Sequence, residues 1–331
     1  MTKRWIRRSG VAVTLALPAL LAQAQSPEPP RDVPTFGVST ELVYVRFHVE
    51  KKGRYLDGLR PDQVRVFEDG RPQRIALLET PSTRERTIPP QVTLALDVSS
   101  SVMDAGLLDE ALLKEAFFAG LSEQTSVGLC AFGGQLRCLT PPTRSVEELM
   151  DGFQRAVAFS HEMRREGTRL YASAAEIFGM KPEGERAQRA VVIFSDGLDN
   201  RGGKVTEAIQ AAAEADVAVY AVKLSQAFQD TAPARARGGF GGSPNRAIYD
   251  YKKFDLDRLA EETGGRAYEP GTLDRNALGE ILRSIATEVT MENVLGYEPE
   301  GPATGRKRKI KVELVDKTMG KIRDGERTLV R

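Results

Sequence analysis

The 331 residues, 41% hydrophobic and 28% charged with 30 glycines and 18 prolines, suffice for about two globular domains and exclude a disordered polymer or a collagen-like repeat. The 47 basic and 46 acidic side chains nearly cancel, which leaves no electrostatic case for a nucleic-acid partner. Two cysteines and two histidines, His48 and His161, do not make a zinc site.

In chain order, Lys3, Arg4, Arg7 and Arg8 precede an apolar run from Gly10 to Leu21, and Ala22-Gln23-Ala24 follows. That order predicts a signal peptide over 1–24, cleaved after Ala24, and an exported protein of the periplasm or the medium. The run is about a dozen residues, short of the ~20 that cross a bilayer, so no transmembrane segment is expected after cleavage. The sole tryptophan, Trp5, leaves with this leader, and no cysteine follows the run to carry a lipid anchor. Residues 25–37 are Pro-rich and are expected to be disordered.

Between Glu41 and Glu50, Val43, Val45, Phe47 and Val49 alternate with Tyr44, Arg46, His48 and Glu50, which predicts a half-buried strand. On this reading His48 occupies the polar face of an edge-type strand. Further strands are expected at Val64 to Phe67 and Ile75 to Leu78, separated by the turn Glu68-Asp69-Gly70. Residues 38–80 therefore form the first part of a β module, with too few strands to enclose a core alone. Residues 81–90 read as a linker.

From Val92 strands alternate with helices, the pattern of parallel βαβ units. Strands are expected at Val92 to Asp97, Ala190 to Ser195, Val217 to Leu224 and Arg266 to Tyr268. Helices are expected at Leu107 to Ser122, from Val146, at Arg169 to Met180, Val205 to Ala215, Leu256 to Thr263 and Asn276 to Thr290. The apolar run Ala190 to Ser195 suits a sheet buried on both faces. Residues 226–250, with Arg235, Arg237 and Arg246 among glycines, read as a flexible loop. β alternation returns at Val294 to Tyr297 and Ile310 to Leu314. The fold class is thus α/β, a doubly wound, mostly parallel sheet over 91–290, inserted in a small β-sandwich built from 38–80 and 291–331.

Cys130 and Cys138 flank Gly133-Gly134. A loop of Gly133 to Gln135 sets Phe132 against Leu136 and the two cysteines opposite each other, within bridging reach. A two-residue Gly-Gly loop shifts that register by one. A disulfide and two buried thiols both stay open on the sequence.

Chemistry concentrates where strands end. Val92 to Leu96 leads into Asp97-Val98-Ser99-Ser100-Ser101, Val191 to Ser195 into Asp196-Gly197, and Gly167-Thr168 stands just before a helix. In open α/β sheets, ligands bind at the carboxyl ends of the strands. The inventory is two carboxylates and three hydroxyls, a donor set for a hard cation. Asp104 is read as starting the first helix, and Asp199-Asn200 as stabilising the turn after Asp196. His161 lies in a charged helix end without His-Glu-x-x-His spacing, and Ser195 lacks the Gly-x-Ser-x-Gly elbow.

Asp97, Ser99, Ser101, Thr168 and Asp196 match D-x-S-x-S, then Thr, then Asp, and so resemble the metal-ion-dependent adhesion site of the von Willebrand factor A domain. The resemblance covers about residues 91–290. It includes Gly167-Thr168-Arg169-Leu170-Tyr171, Phe194 to Asn200 and Thr263-Gly264-Gly265-Arg266. The flanks Phe67 to Pro72 and Leu295-Gly296-Tyr297 are similar to the bacterial VWFA-related family of exported proteins. The resemblance implies a divalent cation, Mg²⁺ first, with Mn²⁺ and Ca²⁺ as alternatives. Ser99 and Ser101 would be direct ligands, while Thr168, Asp97 and Asp196 complete the shell. One open position would take an exposed Asp or Glu of a protein partner, so the expectation is a binding or adhesion module and not an enzyme. Two rivals stand beside it. In one, the metal staples loops of a scaffold; in the other, a hydrolase uses it to activate water, but lacks a free general base.

Overall fold

The alternation at the N-terminal end of the chain becomes β1 (Val43–Lys51). Lys52 and Gly53, both at positive φ, turn it tightly into the short β2 (Arg54–Tyr55). The Asp69-Gly70 pair makes the same kind of turn between β3 (Val64–Glu68) and β4 (Arg71–Glu79). The computed structural model describes residues 42–330, apart from 105, 107–109, 164, 185, 225–254, 271–273 and 302–303. The expected signal peptide at 1–24, the segment 25–37 and the loop at 226–250 thus lie outside the described residues.

The α/β body opens with β5 (Pro90–Asp97) and a one-turn helix α1 (Ser100–Met103), which sequence reading did not foresee. Asp104 closes α1, its N–H donating to Ser100 O, and the start of the helix expected from Leu107 lies outside the described residues. The next helix, α2, is described from Glu110–Leu112, widens to π geometry over Leu113–Phe117 and tightens at Phe118–Gly120. Then come β6 (Ser126–Phe132), β7 (Leu136–Thr143), α3 (Val146–Met163), α4 (Leu170–Phe178) and β8 (Gln188–Ser195). They are followed by α5 (Val205–Glu214), β9 (Val217–Lys223), α6 (255–262), β10 (Ala267–Tyr268) and α7 (Arg275–Thr290). The strands form one six-stranded sheet in the order β10-β9-β8-β5-β6-β7, parallel except for the β6–β7 hairpin.

Period-two alternation sends successive side chains of the central strands into different cores. Val92, Leu94 and Leu96 of β5 join Phe117, Phe159 and Leu282 on one face, whereas Ala95 joins Leu170, Ile177 and Leu259 on the other. Helices on both faces make the sheet doubly wound. In the hairpin, Phe132 faces Leu136 and Cys130 faces Cys138, so the Gly133 to Gln135 loop is the one adopted. The two sulfurs are bonded.

The strands nearest the chain ends pair with each other. After α7 come β11 (Asn293–Glu298), β12 (Lys307–Leu314), β13 (Lys321–Arg323) and β14 (Glu326–Val330). With β1 to β4 they form one antiparallel sheet in the order β13-β1-β11-β4-β3-β12-β14, with β2 beside β1. Val43 lies opposite Tyr297, and Val66 opposite Val312. All eight strands share one hydrogen-bonded sheet curled around Phe47, Val66, Tyr297 and Ile310, where two facing layers of a sandwich were expected.

β1 is not an edge strand. It runs between β13 and β11, and its polar face is buried as well. Arg46 donates to Arg189 O at 2.9 Å and pairs with Asp216 at 3.3 Å. His48, only 2% exposed, places Nδ1 3.1 Å from Asp324 Oδ2 and donates from Nε2 to Glu288 O at 2.9 Å. The polar half of the alternation therefore joins the antiparallel sheet to the α/β body instead of facing water. Residues 81–90 are also held: Arg86 donates to Glu292 O and Gln188, while Glu79 accepts from the N–H groups of Thr87 and Ile88.

Candidate metal centre

β5 and β8 are parallel neighbours with Leu96 opposite Phe194, so Asp97 and Ser195 emerge side by side at their carboxyl ends. Ser195 Oγ donates to Asp97 Oδ2 at 2.7 Å, and the N–H of Ser99 donates to Asp97 Oδ1 at 2.9 Å. Ser99 then caps α1 at its N-terminus, and the first turn of that helix carries Ser101 back toward Ser99, their hydroxyls 3.1 Å apart. Ser101 Oγ donates to Asp196 Oδ2 at 2.6 Å. Asp196 spends its other oxygen on Leu198 N at 3.0 Å, an Asx turn that fixes the carboxylate. Four of the five expected ligands therefore stand in one hydrogen-bonded row.

Thr168 arrives by another route. Gly167 adopts φ +72°, and a Cβ there would strike the side chain of Asn200. The bare backbone lets Thr168 N donate to Asn200 Oδ1 at 2.8 Å, and Asn200 N returns a bond to Thr168 O at 3.2 Å. Thr168 is buried in the loop that faces the Asp196 turn, and its hydroxyl makes no hydrogen bond to the other four ligands among the described residues.

Electrostatics favour a cation. Asp97 is buried, and burial together with the charge of Asp196 pushes its carboxyl up to about 7, against the hydrogen bonds from Ser195 and Ser99 that act to lower it. Among the described residues no three His, Cys, Asp or Glu side chains converge as a metal cluster. The site rests on two carboxylates and a set of hydroxyls, a donor set that fits a hard cation and not a soft one. Neither histidine belongs to it: His48 is in the other sheet, and His161 is exposed in the last turn of α3.

Sequence reading missed the supporting residues. Ser195, weighed there only as a nucleophile, orients Asp97. Asp199 does more than stabilise a turn: it accepts from Arg201 and Gly203 and also from Tyr171 N at 3.0 Å, in the first turn of α4. The signal was present in the unbroken run Phe194 to Asn200, where each polar residue has a separate task. Lys223, opposite Ser195 at the end of β9, is buried and held by Asp257 at 2.7 Å.

The model of the von Willebrand factor type A domain matches residues 91–261. No curated protein matches the sequence. Among solved structures, BatB from Bacteroides thetaiotaomicron is 18% identical, covering 60% of this chain and 98% of its own, with a TM-score of 0.44. An aerotolerance-related membrane protein from Bacteroides fragilis is 18% identical over 60% and 99%, with a TM-score of 0.41. A von Willebrand factor type A protein from Catenulispora acidiphila is 13% identical over 83% and 75%, with a TM-score of 0.42. With a family match spanning half of its length and a doubly wound sheet bearing the site at its strand ends, this chain belongs to the von Willebrand factor type A domain family.

Proposed function

We propose that the protein is an exported binding module that captures a protein partner by an exposed Asp or Glu side chain through a divalent cation. Ser99 and Ser101 would hold the ion directly, with Thr168, Asp97 and Asp196 completing or balancing its shell, and Mg²⁺ suits this all-oxygen set best. When bound, the ion supplies a Lewis-acidic position for an incoming carboxylate. The chain's own residues do the rest: Ser195 and the Asx turns hold the carboxylates in place, and Asn200 fixes the Thr168 loop. The antiparallel sheet serves as an accessory platform. Among the described residues no helix is long and apolar enough to cross a membrane.

The observation that carries this reading is the continuous row Asp97, Ser99, Ser101, Asp196 at the ends of two adjacent buried strands. The row brings two carboxylates close together, one of them, Asp97, fully buried, with its pKa pushed up by that burial and by the charge of the other. The test is capture of partners from the native envelope with and without chelator. Capture that is lost with EDTA and restored by Mg²⁺ supports the proposal, and capture indifferent to both refutes it.

A further inference from the structure

A second concavity shares no residue with the metal centre. It is an open cleft of about 790 Å³, floored by α7 and walled by the β1–β2 hairpin, β10 and β13. That volume is in the ~300–1,000 Å³ range of ligand sites.

Its hydrogen-bonding inventory is one-sided. Four arginines line it, Arg54, Arg266, Arg283 and Arg323, and a guanidinium carries five N–H donors and no acceptor. Two of the lining carboxylates are already engaged. Glu288 is buried, accepts from Tyr55 OH at 3.0 Å and pairs with Arg266 at 3.2 Å, while Glu50 pairs with Arg323 at 3.2 Å. The hydroxyls of Ser284 and Thr287 donate to carbonyls of their own helix. Arg54 and Arg283 are exposed and reach no carboxylate among the described residues. Only Glu280 remains to offset them. The cleft is rich in donors and poor in acceptors, so its complement is an oxyanion-rich ligand, which guanidinium groups can grip in bidentate fashion.

Shape narrows the class. The lining follows α7 from Glu280 to Met291, roughly 16 Å at ~1.5 Å per residue, which equals about five residues of extended chain. The cleft is open along this length and does not enclose a compact molecule. We propose that it binds an extended acidic peptide segment, with Arg54 and Arg283 as the principal contacts, independently of any metal.

The test uses the full chain in EDTA, which silences the metal centre, with a fluorescein-labelled hexa-aspartate peptide followed by fluorescence polarisation. Saturable binding is expected, weakened at least about tenfold in R54E/R283E and unchanged in R144E/R155E. The latter pair lies after β7 and on α3, at the opposite end of the six-stranded sheet from β10. Arg54 and Arg283 are exposed, so a melting curve of R54E/R283E close to that of the parent shows that the fold is kept. The proposal is overturned if the peptide does not saturate in EDTA, if both double variants lose binding equally, or if inorganic phosphate binds as tightly as the peptide.

Discussion

Ser101 Oγ donates to Asp196 Oδ2 across 2.6 Å, joining residues 95 positions apart in the chain. This bond ties the first turn after β5 to the loop after β8, the two segments that the proposed function joins through a cation. Asp97→Ala is therefore expected to abolish Mg²⁺ binding in titration calorimetry while leaving the far-UV circular dichroism unchanged. The parent protein should gain about 2.7 kcal/mol of unfolding free energy at Mg²⁺ one hundred times its Kd. Chelation should lower the Tm of the parent and leave that of Asp97→Ala where it was. Unchanged Mg²⁺ affinity in the variant would show that the row is not a metal site.

His48 should make stability depend on pH. Both ring nitrogens face acceptors, Asp324 Oδ2 and Glu288 O, which calls for the doubly protonated ring. Burial lowers its pKa, but the bond to Asp324, the charge of Glu292 and the carbonyl of Glu288 outweigh that and raise it above the usual value. With the folded pKa above the unfolded one, the stabilisation is complete below the ordinary value of about 6.5 and fades as pH rises through the raised folded value. The stability lost in His48→Gln, read from urea unfolding, should be about 1–2 kcal/mol greater near pH 5.5 than near pH 9. Equal loss at both pH values would refute this.

The bond between Cys130 and Cys138, eight residues apart in sequence, closes the β6–β7 hairpin. A cross-link over so short a loop is expected to contribute about 2–3 kcal/mol through the unfolded chain. Replacing both cysteines by serine should lower the urea midpoint accordingly, and a thiol assay of the denatured, unreduced parent should find no free sulfhydryl.

Gly265 touches the backbone of β9. A Cβ at this position would collide with Val219 O and come within 2.6 Å of Val219 C, and backbone cannot move aside as a side chain can. Gly265→Ala is expected to cost about 3 kcal/mol or more and to reduce the soluble yield. Its neighbour Gly264 has open space but φ +80°, so Gly264→Ala should cost only about 1 kcal/mol. Thermal melts of the two variants test that order.

The legible parts of the chain were those in which one physical pattern acts alone. Ala190 to Phe194 is apolar throughout because both faces of its strand are buried against helices, and it was readable for that reason. Asp97, Ser99, Ser101 and Asp196 were readable because a fixed spacing falls at strand ends. His48 misled because alternation reports that one face is polar without telling whether that face meets water or another layer of protein. β13 and β14 were missed because three to five residues rich in Lys, Arg and Glu carry too little periodicity, and the pairing of β13 with β1 joins segments far apart in sequence. α1 was missed because a single turn after a strand looks like loop. Ser195 was misjudged because its partner, Asp97, is 98 residues distant.

The antiparallel sheet sets a timing condition on biogenesis. β1 is synthesised well before β11 and β13, the two strands between which it runs in the sheet. Val45, Phe47 and Val49 thus lack their flanking strands until β11 and β13 have been made. Any product truncated before Asn293 carries a bare apolar strand, the kind of surface that chaperones and proteases recognise.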